Sequence, residues 1–431
     1  MGILYFVVFA LGFAYSDLGA IQVATIGAQS VYAIDVLNAA AIALAVLFCF
    51  DGGLARLTRA GQAYCIFLGW LVVELLIGAT RYGGAAVGEF RYVLPLFWFF
   101  VPLAVEGLRR TSADTEYATV PLNVIRVAAL AGVAMLMIEV MHGGRYYFSA
   151  ANQAKSNFAD FRGARFLDSY QTFNIAFASA IATLWGLRTR RFALIPLGVA
   201  LFALAGWTQN RTALIAVVAG LLLLAVLERR FGMLAAIGAV GAFGIALVML
   251  LAPDLLRQLT SSYSAALSPA ADDSGAWRLY IQLQAFSQAL QTPILGQGYG
   301  GYFRFEIPGR EAVLAPPHNQ FLLLFLKGGS IAVVLVLVAM TAYLATLWKK
   351  RAGSTLSDRE RIVVEALLLL VLAQFAYGMA YDFVLTFGLM LGCSEVLLTR
   401  SAARAAATAE TTSSRGMTSR VAPTDAHPFP S

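Results

Sequence analysis

The sequence predicts an all-α protein: a polytopic transmembrane helical bundle of about twelve spans with both termini in the cytoplasm. Three observations predict it. The chain is 59% hydrophobic and only 13% charged, where soluble domains carry roughly 25% charged residues. Apolar runs near the roughly 17–25 residues that cross a bilayer recur from end to end. Lysine and arginine collect in every second short loop.

The candidate spans are 1–16, 31–50, 62–80, 90–108, 120–141, 170–187, 192–208, 211–228, 231–252, 319–348, 361–381 and 383–398. The opening "MGILYFVVFALGFAY" has no basic leader and no small-residue cleavage site, so it reads as a retained helix. Pro95 and Pro102 predict a bend in the fourth span, because each proline removes a backbone donor. Segment 319–348 is too long for one straight crossing, and Gly328-Gly329 marks the expected break.

Basic residues set the orientation. Arg56 and Arg59 follow the second span, Arg109 and Arg110 the fourth, and Arg188, Arg190 and Arg191 the sixth. Arg229 and Arg230 follow the eighth, Lys349 to Arg351 with Arg359 and Arg361 the tenth, and Arg400 and Arg404 the twelfth. The intervening short loops have almost none, which is the positive-inside pattern and places both termini in the cytoplasm. The net charge of +7 is therefore a topology signal and not a nucleic-acid footprint. Cys49, Cys65 and Cys393 lie in or beside apolar runs, so no disulfide framework is expected.

One domain, 1–398, results, with two long outer loops at about 142–169 and 253–318. The tail 399–431 is rich in Ala, Ser and Thr without periodicity, which predicts disorder on the cytoplasmic side.

The polar chemistry gathers on the outer face. From Arg278 to Gln291 the residues Leu279, Leu283, Phe286 and Leu290 form one apolar helix face, suited to the membrane surface or to capping the bundle. Gly296 to Gly301, "GQGYGG", matches GxGxxG literally, but it follows a helix on the wrong side for nucleotides, so it reads as a tight turn. Arg211 opens a span, and Arg145, Arg162, Arg165 and Arg278 join it on a side where arginine is disfavoured. An interfacial arginine can simply snorkel. Five together suggest an anionic ligand, since guanidinium binds phosphate oxygens in forked pairs.

In "APPHNQFLLLFLKGG", His318 follows two prolines and precedes Asn319 at the mouth of an apolar helix. The plain reading is an interfacial histidine bonded to a carbonyl. The alternative is a neutral imidazole that takes a proton from a hydroxyl, worth roughly 10²–10⁴ in rate. Asp272-Asp273 read as a helix cap, while Glu74, Glu139 and Asp35 lie inside spans toward the outer face, as functional acids or as partners of the arginines. No metal-ligand spacing occurs on the outer face, so neither a metal nor a cofactor is expected.

Three stretches in order, "WTQNRTALIAVVAGLL", "WRLYIQLQAFSQALQTPILGQGYGGYF" and "PHNQFLLLFLKGGSIAVVLVL", resemble the signatures of the O-antigen ligase/polymerase family over roughly 205–340. The resemblance implies a GT-C-like, metal-independent glycosyltransferase of the bacterial inner membrane, acting at the periplasmic face. Its donor would be a glycan on undecaprenyl diphosphate, and its acceptor lipid A–core for a ligase or another glycan for a polymerase. It makes His318 the base on the acceptor hydroxyl and gives Arg211 and Arg278 the diphosphate. Arg162, Arg165 and Arg145 would assist, with Asn319 beside the base. Membrane lipids and the proteins of polysaccharide assembly and chain-length control are the implied partners, and nucleic acid is not. The paired Arg-x₁₀-Gly patterns of some polymerases are missing, and the Gly-x-x-Gly-like spacing of many ligases is not reproduced, so ligase and polymerase both stay open.

Two other classes fit twelve spans. A transporter or lipid flippase calls for inverted repeats and polar groups near mid-membrane, neither of which the sequence offers. A scaffold in an assembly complex would tolerate loss of His318.

Overall fold

The computed structural model describes residues 2–14, 18, 21–26, 29–107, 120–141, 169–207, 210–229, 274–305, 313–314, 317–352 and 356–400. The expected ninth span, the loop 142–168, Asp272-Asp273 and the tail from 401 lie outside them, as does the side chain of Glu139.

The described chain is helical. Helix α1 is Gly2–Phe13, and a two-stranded antiparallel hairpin, β1 Gln22–Ile26 and β2 Gln29–Tyr32, leads into α2, Ala33–Phe50. Then come α3 Arg59–Tyr82, α4 Ala85–Phe90, a 3-10 stretch Arg91–Phe99, and α5 Phe100–Gly107. Helices α6 Val120–Met141, α7 Ser169–Thr189, α8 Leu194–Trp207 and α9 Arg211–Leu227 follow. Next are α10 Ser274–Ala289, the short strands β3 Arg304–Phe305 and β4 Val313–Leu314, α11 Gln320–Ala352, α12 Asp358–Gly378, and a last helix, α13, at residues 385–400.

Among the described residues five helical stretches are long and apolar enough to cross a membrane: Ala33–Phe50, Arg59–Tyr82, Ala85–Glu106, Gln320–Ala352 and Glu360–Gly378. Shorter apolar helices are Leu122–Ala134, Leu194–Gly206 and Thr212–Leu227. Of the two prolines expected to bend the fourth span, Pro95 lies in the 3-10 stretch and Pro102 in α5. The hairpin was not anticipated. Asp35 holds it, accepting from the Tyr32 amide at 2.8 Å and pairing with Arg91 at 3.1 Å, while Arg91 also donates to the Ser30 carbonyl. Asp35 thus pairs with an arginine, but with Arg91 and not with one of the five named above.

Helices α12 and α13 form the centre, with Leu367 to Val371 and Leu389 to Leu391 all buried. Ser357 caps α12 through a capping box with Glu360. Thr58 caps α3, and its own N–H and hydroxyl both donate to Glu395 of α13, which Tyr343 of α11 also reaches. At the same end Arg351 pairs with Glu228 at 2.8 Å and Glu365 at 2.9 Å, and Glu365 takes Arg188 as well. Arg400 pairs with Glu106. The helix ends that carry the basic loops thus meet at one end of the bundle, and His318 starts α11 at the other.

Candidate functional site

The most built feature at the opposite end is the break in α11. Gly329 has φ 63° and ψ −167° inside a helix that otherwise runs from Gln320 to Ala352. That backbone conformation favours glycine, and a Cβ here would overlap the Ile294 carbonyl. Breaking the ladder frees the carbonyls of Leu326 and Lys327 and the amides of Ser330 and Ile331. The turn after α10 takes all four. Gln297 N–H donates to Leu326 O at 3.0 Å and Gly298 N–H to Lys327 O at 2.9 Å, while Ser330 N–H donates to Pro293 O at 2.8 Å and Ile331 N–H to Ile294 O at 3.5 Å. Trp70 Nε1 donates to Gly328 O at 3.0 Å. Buried backbone groups need partners, so the loop 293–298 is spliced into the helix.

This is why the GxGxxG stretch has its glycines. Gly296, Gly298 and Gly300 all have positive φ, at 72°, 77° and 100°. A Cβ on Gly296 would strike the Lys327 carbonyl, and one on Gly298 would stand 3.0 Å from the backbone of Gly78. The expected tight turn is present, and its task is packing.

Lys327 is fully buried, the last residue but one before the break. Its Nζ lies 2.7 Å from Glu89 Oε1 and donates to Gly301 O at 2.8 Å, and Glu89 Oε2 accepts from the Gly300 amide at 2.6 Å. Glu74, one turn before Gly78 in α3, is also fully buried, and neither of its carboxylate oxygens has a hydrogen-bond partner among the described residues. Glu74 was expected inside a span, but the buried Lys327–Glu89 pair was not anticipated. The signal was in the sequence: a lysine in an apolar helix requires a counterion, and "LLLFLKGG" carries one.

At the mouth of α11, Pro317 is buried and His318 has φ 48°, a left-handed conformation that costs a non-glycine residue about 1–3 kcal/mol. Its neighbours hold it there. Asn319 Oδ1 caps the helix by accepting from Leu322 N–H at 3.0 Å, Gln320 Oε1 accepts from Phe383 N–H at 3.3 Å, and Gln282 Nε2 of α10 donates to His318 O at 3.4 Å. The His318 ring is half-buried against Tyr381. Beside Tyr381, Asp382 Oδ2 accepts from the Tyr170 hydroxyl at 3.2 Å.

Arg211 is the first residue of α9, after Asn210, whose side chain accepts from Ala213 N–H at 3.3 Å. Helices α9 and α12 pack together, and two anchors set one antiparallel register: Glu228 and Glu365 on Arg351, and Gly220 against Ala373. That register brings the backbone at Arg211 level with the end of α12, where Tyr381 and Asp382 follow. Arg278 stands one helical turn from Gln282 in α10. The starts of α9 and α11, the end of α12 and the helix α10 therefore converge on one end of the bundle. Arg145, Arg162 and Arg165 lie outside the described residues.

The apolar face expected on α10 points outward: Leu283, Phe286 and Leu290 are exposed, while Ile281, Ala285 and Ala289 pack on Leu322 and Leu326. The described residues leave the stripe uncovered, which fits either placement. Among the described residues no three His, Cys, Asp or Glu side chains form a metal set.

Fold and site together define a multi-pass helical membrane protein with a polar face built at one end. The model of one protein family, described as O-antigen ligase, matches residues 196–337, so this part of the chain is similar to that family. The match takes in Arg211, Arg278 and His318. No curated protein matches the chain.

Proposed function

We propose that the protein is an inner-membrane glycosyltransferase that moves a glycan from undecaprenyl diphosphate to an acceptor hydroxyl at the periplasmic face. The observation that carries this reading is the setting of His318: a histidine in a left-handed conformation, locked on both sides by Gln282 and the Asn319 cap, within the matched region. The His318 imidazole takes the acceptor proton, and the acceptor oxygen attacks the anomeric carbon. The bond from that carbon to the diphosphate breaks, and polyprenyl diphosphate leaves with the electron pair. Arg211 and Arg278 hold its growing charge, the term on which such reactions depend most, and Arg162, Arg165 and Arg145 assist them. Diphosphate leaves without a general acid, so the residues in hand suffice with no metal. Single displacement inverts the anomeric centre.

Replacing His318 with Ala is expected to leave a membrane-inserted protein that transfers no glycan, and near-normal product would refute the assignment. Deleting the gene separates the two acceptors. Loss of polymer from lipopolysaccharide with lipid-linked polymer retained identifies a ligase, and single repeat units in place of chains identify a polymerase.

One observation favours a second reading, translocation of a lipid-linked glycan: a broken helix beside buried charges is a feature of transporter sites. Passage of the glycan across liposomes by the purified His318→Ala protein would establish it.

A further inference from the structure

We propose that Lys327 and Glu89 are positioning residues for glycan transfer: their ion pair fixes the half-helix 320–328, and with it His318. This rests on reading His318 as the base.

Residues 320–328 are cut from the rest of α11 at Gly329, so the long second half does not set their direction. Contacts must. At the lower end Lys327 joins three elements, reaching Glu89 of α4 and the Gly301 carbonyl of the spliced loop, while Glu89 returns to the Gly300 amide. At the upper end Gln282 of α10 holds the His318 carbonyl. Helix α10 runs straight into the same loop, where Gln288 Nε2 donates to Gln297 Oε1 at 3.0 Å and Gln297 Nε2 to Gly301 O at 2.8 Å. The chain of contacts is closed: His318 to Gln282, along α10 to Gln297 and Gly301, through Lys327, and back along one short helix to His318. An apolar pair would fill the same space with less desolvation. An ion pair with two further hydrogen bonds adds direction, which apolar packing does not supply.

The test measures release of polyprenyl diphosphate from a polyprenyl-diphosphate-linked oligosaccharide in host membranes lacking the native copy. The variants are Lys327→Met, the doubly neutral Lys327→Met/Glu89→Gln, Lys327→Arg, and Gln297→Ala, which cuts the same ring without burying a charge. The expected result for the double variant is native melting and native KM with kcat reduced about 100-fold, the effect of a roughly 1 Å misplacement. Partial recovery is expected in Lys327→Arg, and a loss of about tenfold in Gln297→Ala. Native kcat in the double variant overturns the proposal. If that variant does not fold, native kcat in Gln297→Ala overturns it, and reduced kcat at native KM supports it. His318→Ala runs alongside: activity there removes the reading beneath, whereas an inactive His318→Ala with fully active latch variants removes only this proposal.

Discussion

The rings of His318 and Tyr381 meet edge to face, with centroids 6.3 Å apart and planes at 74°. Tyr381 in turn stacks on Tyr377 at 5.2 Å, and Tyr377 lies 4.7 Å from Phe173. The imidazole is therefore backed by an aromatic column rooted in α7, and its orientation is set from the side as well as from its own backbone.

Removing the top of that column is expected to loosen the ring without touching the nucleophile. Aromatic contacts of this geometry are worth about 0.5–1.5 kcal/mol, and 1.4 kcal/mol is a factor of roughly ten in rate. Tyr381→Ala should lower kcat for transfer by up to about tenfold with the protein still folded, and Tyr381→Phe, which keeps the ring, should lose less. Equal losses in the two would mean that the hydroxyl, and not the ring, is what counts.

Gly329 and Gly52 both have positive φ, 63° and 66°, but Gly52 lies in the left-handed helical region at ψ 20°, whereas Gly329, at ψ −167°, lies in a region open essentially to glycine alone. Nothing lies within 4 Å of a Cβ added to Gly52, whereas one on Gly329 meets the Ile294 carbonyl. Gly52→Ala should cost only the left-handed strain, about 1–2 kcal/mol. Gly329→Ala should cost more, because its φ/ψ is closed to side-chain-bearing residues and because the spliced loop must move away and leave buried backbone groups unpaired. Melting of the two variants in detergent ranks them, and equal midpoints would show that the splice contributes nothing.

Glu74 presents a different test. A buried polar group without a partner costs about 1–3 kcal/mol, and among the described residues both oxygens of Glu74 are in that position. Glu74→Met keeps the volume and removes the polar atoms, so the melting temperature is expected to rise. A fall would mean that the carboxylate finds a partner beyond the described residues, in the rest of the chain, a lipid, a water or the substrate.

Much of this architecture was legible beforehand because it rests on local rules. Apolar runs gave the helices, Gly328-Gly329 gave the break, and Pro95 gave the irregular turn. His318, Arg211 and Arg278 were legible as candidates from residue type and order. What the chain could not announce was pairing. Glu89 and Lys327 are distant in sequence, and the signature that contains Lys327 says nothing of Glu89. Only the fold shows that the GQGYGG turn fills the gap in α11. The hairpin 22–32 escaped for a related reason: its anchor, Arg91 on Asp35, is a tertiary contact. The outward face of α10 was ambiguous because an amphipathic stripe faces a core or a membrane equally well.

The last prediction concerns charge geometry. Both Arg211 and Arg278 sit near helix starts that converge on the His318 end, Arg211 as the first residue of α9 and Arg278 in the first turns of α10. A lysine at either place keeps the charge and most of the length, but offers a point cation where arginine offers a planar fork for two oxygens. If these residues stabilise the leaving diphosphate, the fork matters most in the transition state. Arg211→Lys and Arg278→Lys should then lower kcat by more than they raise KM, with Ala at each position worse by a further factor of about ten or more. If they serve only to snorkel at the membrane surface, Lys will transfer glycan as well as Arg does. Initial rates over a range of polyprenyl-diphosphate-linked oligosaccharide concentrations separate the two, and wild-type kinetics in both lysine variants would remove the arginines from the reaction.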